Sequence, residues 1–222
     1  EGQIRKFLEK HLPAAIAPEA EAEEDEAGAL LAEGDREGAL EKLGEAIAID
    51  PANDAARFEY VRLLVESGKL TDARTALEPV KGKLSGHVTD QRFVAVDLYL
   101  RAHVAAANLP AEAELQAAVS ANARDFASWL GIAQRLWIRG EAAAAMDALL
   151  EIIRRDRNWD DGIARRTYVA ILELLGARSK APTQPAAAAP AGKLITSAAR
   201  TQTAPQDPLI ADYRRKLSMA LF

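Results

Sequence analysis

From position 20 to position 176 apolar residues return at steps of three and four, the period of helices packed on one side. Phe58, Val61, Leu64 and Val65 share one such face, Ala39, Leu43 and Ala46 another, and Trp129, Ala133 and Leu136 a third. Glycines and prolines cut the pattern into segments, because glycine readily leaves the helix and proline cannot continue it. The resulting helices are predicted over 20–33, 36–49, 54–67, 70–80, 90–107, 111–121, 126–139, 141–154 and 159–175, the last closing at Gly176. The first eight fall into four consecutive pairs. Gly34 and Gly68, Ala39 and Ala73, and Leu43 and Leu77 are each 34 residues apart. Gly140, Ala145 and Leu149 repeat the set, but Gly140 lies 72 residues after Gly68, four more than two periods. The third pair is therefore out of phase, with its turn and small-residue signals at Asn108 and Ala113. A recurring alanine lets two helices of a pair approach closely, so Ala39, Ala73 and Ala145 are expected at buried helix–helix contacts.

The flanks carry different patterns. Within 1–12, Ile4, Phe7, Leu8 and His11 lie on one helical face, and Leu12-Pro13 ends it. So short a helix does not stand alone; it packs on the repeats or is the tail of a preceding domain. Residues 13–19 form a linker. The acidic run 19–26 would suit a cation or a basic peptide, but a solvated first turn, where carboxylates favour the positive end of the helix dipole, explains it more simply. After Gly176 the segment 177–206 brings Pro182, Pro185, Pro190 and Pro205 and a run of alanines. It offers little to bury and is expected to be a mobile linker, with 193–200 able to dock as a strand or short helix. Asp207-Pro208 then opens a final helix over 207–222, aspartate as N-cap and proline in the first turn. Its stripe Leu209, Tyr213, Leu217 and Leu221 needs burial, and the end of the repeats near Leu172 and Leu175 is the expected place.

Composition narrows the chemistry. Of 222 residues 49% are apolar but only 5% aromatic, a mix that suits stacked helices better than sheets. The net charge of −5 argues against nucleic acid as a partner, and no apolar run approaches a membrane span. Without cysteine there is no disulfide, no thiolate metal site and no thiol chemistry. His11, His87 and His103 are scattered without ligand spacing, and Gly28, Gly34 and Gly38 match no dinucleotide fingerprint. No serine sits in a nucleophile turn, and Asp160-Asp161 read as helix capping. The sequence thus predicts no enzyme, no cofactor and no metal. It begins at Glu1 without methionine, which suggests a fragment.

The 34-residue period resembles the tetratricopeptide (TPR) repeat, implying an all-α TPR-like helical-repeat solenoid with an extra C-terminal helix. The pieces IRKFLEKHLP, LLEIIRRDRNWDDGIARR and DPLIADYRRKLSMALF together resemble the bacterial chaperedoxin co-chaperones, in which a thioredoxin domain is fused to a TPR domain. The most specific signature is Arg154, Arg155, Asp156, Trp159, Gly162, Ala164 and Arg165 with the YRR…LF end. By that resemblance 1–12 is the residual last helix of a thioredoxin-like domain, 20–176 the repeats and 207–222 the terminal helix. No redox residue carries over. The segment 177–206 departs from the short join expected of the family.

The resemblance implies a cytoplasmic bacterial holdase that binds unfolding client proteins and hands them to a chaperonin. The rival reading is a generic TPR adaptor that takes one defined peptide or protein in its concave groove. In TPR packing the first helix of each pair lines that groove, which makes Phe58, Arg62, Leu130, Gln134 and Trp137 the groove candidates. Core packing is weighed slightly ahead for Trp137, and further ahead for Trp129 and Trp159. Arg62 and Gln134 do not reproduce the paired Lys and Asn of a carboxylate clamp, which disfavours a C-terminal acidic peptide. On the terminal helix Tyr213, Arg214, Arg215, Leu217, Leu221 and Phe222 are the partner-binding candidates. Arg214, Arg215 and Lys216 would meet acidic groups.

Overall fold

A computed structural model of the chain describes residues 16–86, 89–180 and 207–221. These are helical almost throughout, with no strand among them. Ten α-helices follow in order among the described residues: α1 (Ile16–Glu33), α2 (Arg36–Ile49), α3 (Asp54–Glu66), α4 (Leu70–Leu77), α5 (Gln91–Ala106), α6 (Glu112–Ala121), α7 (Phe126–Ile138), α8 (Ala142–Arg155), α9 (Trp159–Lys180) and α10 (Pro208–Leu221). A 3-10 turn at Glu78–Lys83 follows α4. The chain divides into two compact units, 1–104 and 105–222, with the division after Val104 inside α5. The fold is an all-α helical repeat with an extra C-terminal helix, as the periodicity predicts.

The recurring glycines do one job three times. Gly34, Gly68 and Gly140 adopt φ of +86°, +74° and +82°, a region an L side chain enters only with strain. Each such turn closes the helix with a pair of bonds. The next residue's N–H reaches back five positions, Asp35 to Leu30, Lys69 to Leu64 and Glu141 to Leu136, each at 2.9 Å. The glycine N–H reaches back three. Carbonyls that a helix end leaves orphaned are satisfied, and the chain reverses into the partner helix. Asn53 caps α3 by accepting from the N–H of Ala55 and Ala56, and Asp125 caps α7 through Ser128.

In the first unit α1 packs on α2, α2 on α3 and α3 on α4. Ala39, Ala46, Ala56, Val61, Val65, Ala73 and Phe93 are wholly removed from water. The second unit stacks α6 on α7, α7 on α8 and α8 on α9, and α10 lies against both α8 and α9. Ala145, Met146, Leu149, Ile152 and Tyr168 are its fully buried centre. Ala39, Ala73 and Ala145 are thus each buried, as expected of the small position. Ala113 is not: it is exposed. The out-of-phase pair makes its close contact from the other side. Gly131 of α7 lets Leu109 and Leu115 come within 3.3 Å of where a Cβ would stand.

Several boundaries differ from the predicted ones for physical reasons. Helix α1 begins four residues early because Pro18 falls in its first turn, where no backbone N–H is needed. Helix α4 stops at Leu77 because Pro79 breaks the ladder and the chain tightens into a 3-10 turn. Helix α9 runs through Gly176 to Lys180, since a lone glycine inside a helix is tolerated. Its first turn is not regular: Asp160, Asp161 and Gly162 have φ of 48°, 52° and 68°. The two aspartates therefore sit in a kink and not in an ordinary capping turn. The expected helix within 1–12 and the linker from 181 to 206 lie outside the described residues.

Candidate protein-interaction surface

Two guanidiniums, one buried and one half-buried, tie helices to neighbouring backbone and are not foreseen from the sequence. Arg57 on α3 is 6% exposed and donates to the carbonyl oxygens of Pro51 (2.9 Å) and Ala76 (3.3 Å). Arg135 on α7 donates to those of Leu109 (2.9 Å) and Pro110 (2.7 Å). Both spend charge-assisted hydrogen bonds on main-chain carbonyls, of a loop and of the end of α4 for Arg57 and of the loop before α6 for Arg135. A single arginine in an amphipathic pattern reads as a surface residue, which is why the sequence does not reveal them.

The groove candidates separate by burial. Phe58 is 3% exposed and packs with Val61 and Val65, while Trp137 is 5% exposed. Both are core side chains of their own units and present almost no surface to a partner. For Phe58 the reason is periodicity, since it shares the buried stripe that defines α3. Leu130 and Gln134 on α7 are half-buried. Arg62 on α3 is held between Glu59 and Glu66, with bonds of 2.9 Å from Nε to Glu59 and from Nη1 to Glu66. Burial alone would lower its pKa, but the two carboxylates outweigh that and hold it raised. Glu66 also faces His103 of α5, whose ring meets Tyr99 edge-on at 4.7 Å. Burial pushes the His103 imidazole below its ordinary pKa, and Glu66 only partly restores it. Trp129 is half-buried and donates its indole N–H to the carbonyl of Ala123 at 3.3 Å; Trp159 stacks edge-to-face with Phe126 at 5.8 Å.

The terminal helix α10 is anchored through one side. Ile210 and Tyr213 are each 4% exposed. Ile210, and not Leu209, begins the buried stripe. Leu209 is 36% exposed, and Leu217 and Leu221 are half-buried. The Tyr168 hydroxyl donates to the Tyr213 carbonyl at 2.7 Å, and the Tyr213 hydroxyl donates to Asp147 of α8 at 2.9 Å. Lys216 stands 3.6 Å from Asp147 and 4.0 Å from the centroid of the Tyr213 ring. Burial raises the pKa of both tyrosines, and Asp147 reinforces this at Tyr213. Arg157 donates to the carbonyl of Leu221 at 3.0 Å and fixes the far end of the helix. The opposite edge faces solvent. Arg214 and Arg215 are exposed, Arg215 paired with Asp212, and Met219 is 71% exposed. Phe222 lies outside the described residues.

No cluster of three His, Asp or Glu able to hold a metal occurs among the described residues, and no described helix is long and apolar enough to cross a membrane. No curated protein matches the chain. Two family models do, both described as tetratricopeptide repeat: one over residues 30–84 and the other over residues 105–184. The first span holds the regular pairs from the end of α1 through α4, and the second runs from the end of α5 through α9. With glycine-closed helix pairs, buried alanines at the repeat period and both matches in agreement, the chain contains tetratricopeptide repeats over both spans, which points to protein partners.

Proposed function

We propose that this chain is a non-catalytic co-chaperone module of the bacterial cytoplasm, which holds unfolding client proteins and hands them to a chaperonin through its C-terminal helix. The resemblance to the chaperedoxins supplies the partner class. The observation that carries the reading is the two-sided build of α10. One side is keyed into α8 and α9 by Tyr213 and Ile210, and the other offers Met219, Leu209, Arg214 and Arg215 to solvent. Such an edge combines methionine with arginine, two residue types enriched at protein interfaces. Holding would proceed by reversible burial of a client's apolar segments, without nucleotide.

The adaptor reading has its own support. Among the described residues the exposed large apolar side chains are Val104, Leu209 and Met219, which favours one defined partner over a broad apolar holding surface. Two measurements separate the readings. The chain should retard aggregation of an unrelated unfolding protein and should retain a chaperonin from bacterial lysate. Arg214→Ala/Arg215→Ala/Met219→Ala should abolish retention while leaving the melting temperature unchanged. Retention of a different protein with no effect on aggregation would establish the adaptor instead.

A further inference from the structure

Where α8 ends, the chain places three guanidiniums within four residues, Arg154, Arg155 and Arg157, in a molecule whose net charge is −5. They line an open depression of about 390 Å³ whose opposite wall is Ala220 and Leu221 of α10, with Asn158 at its edge. The acidic groups nearby are accounted for. Glu151, one turn back, takes Arg154 at 3.4 Å and Arg155 at 2.5 Å. Asp156 on the rim accepts from the N–H of Asn158 at 3.0 Å. Arg155 also donates to the Glu151 carbonyl, and Arg157 to that of Leu221. An arginine carries five N–H donors in a planar fork. These contacts therefore leave most of the donors of Arg154 and Arg157 turned to solvent, and among the described residues no carboxylate is matched to Arg157.

We propose that this depression is a binding site for a compact phosphoryl anion, held by the forks of Arg154 and Arg157. The lining is polar and cationic, so an apolar ligand gains little there, whereas a tetrahedral oxyanion can accept from two guanidiniums at once. The helix dipole does not help, because α8 presents carbonyls at this end; the arginines alone supply the attraction.

Calorimetric titration of the full chain with inorganic pyrophosphate, at ionic strength held constant with chloride, tests this. Saturable one-to-one binding is expected, weakened by about tenfold or more in Arg154→Gln/Arg157→Gln. Binding should be unchanged in Arg214→Gln/Arg215→Gln, which alters as many exposed cations elsewhere. Arg157→Lys keeps the charge and loses the fork, and it should weaken binding too. Absence of saturable binding, or equal weakening in both double variants, would overturn the proposal by reducing it to general cation attraction.

Discussion

At the scale of single residues the alanine positions are the most sharply constrained. Ala73 has no exposed surface and stands where α4 meets α3. Leucine there adds three heavy atoms to a contact with no room, and overpacking of this kind costs about 1–3 kcal/mol. Thermal or urea unfolding of Ala73→Leu should show the loss, and a wild-type midpoint would mean the contact is slack. Arg57→Met should also destabilise, because it removes two bonds and leaves the carbonyls of Pro51 and Ala76 without their donor. His103 gives a pH signature. Its folded pKa lies below the ordinary 6.5, so the unfolded chain binds more protons. The stabilisation from keeping it neutral is present above pH 6.5 and is lost as pH falls through the folded value. His103→Phe should flatten the stability curve in that acidic window, measured by urea titration at stepped pH.

At the scale of elements, α10 is held by few but specific contacts. Tyr168→Phe removes the donor to the Tyr213 carbonyl and should cost on the order of 1 kcal/mol. Because α10 is peripheral, the expected symptom is local: faster amide exchange along 208–221 with the repeats still protected. Truncation after Ser218 removes the Leu221 carbonyl that Arg157 grips and should lower the melting temperature slightly. If it also abolishes retention of a chaperonin, the distal end serves docking as well as capping. How well these elements can be read beforehand depends on whether their signal is local. Glycine turns, N-caps and the 34-residue spacing are local, so the helices and the buried Ala39, Ala73 and Ala145 are visible in the sequence. The extension of α9 past Gly176 is not, because a glycine ends a helix only when it adopts positive φ, and this one does not. The site is less legible still. Phe58 could be placed in the core from its stripe, but Trp137 lies in the groove or in the core depending on how neighbouring helices are set, and no periodicity specifies that. The carbonyl clamps of Arg57 and Arg135, and the meeting of Arg157 with Leu221 across 64 positions, are tertiary in origin.

At the scale of the whole molecule, each unit has its own buried centre, Phe93 and Val61 in one and Tyr168, Met146 and Leu149 in the other. Repeat proteins of this kind draw stability from neighbour-to-neighbour packing, so damage spreads through adjacent helices before it reaches distant ones. The two units also differ in a spectroscopic respect. Trp129, Trp137 and Trp159 all belong to the second, and the first contains none. Indole emission is therefore a reporter of the second unit alone, whereas far-ultraviolet circular dichroism sums the helices of both. Ala73→Leu, placed in the unit without indole, should move the dichroism midpoint and leave the emission midpoint where it was. Equal displacement of the two curves would instead show the chain unfolding as a single cooperative body. The native tryptophans thus make the autonomy of each half measurable without any added label.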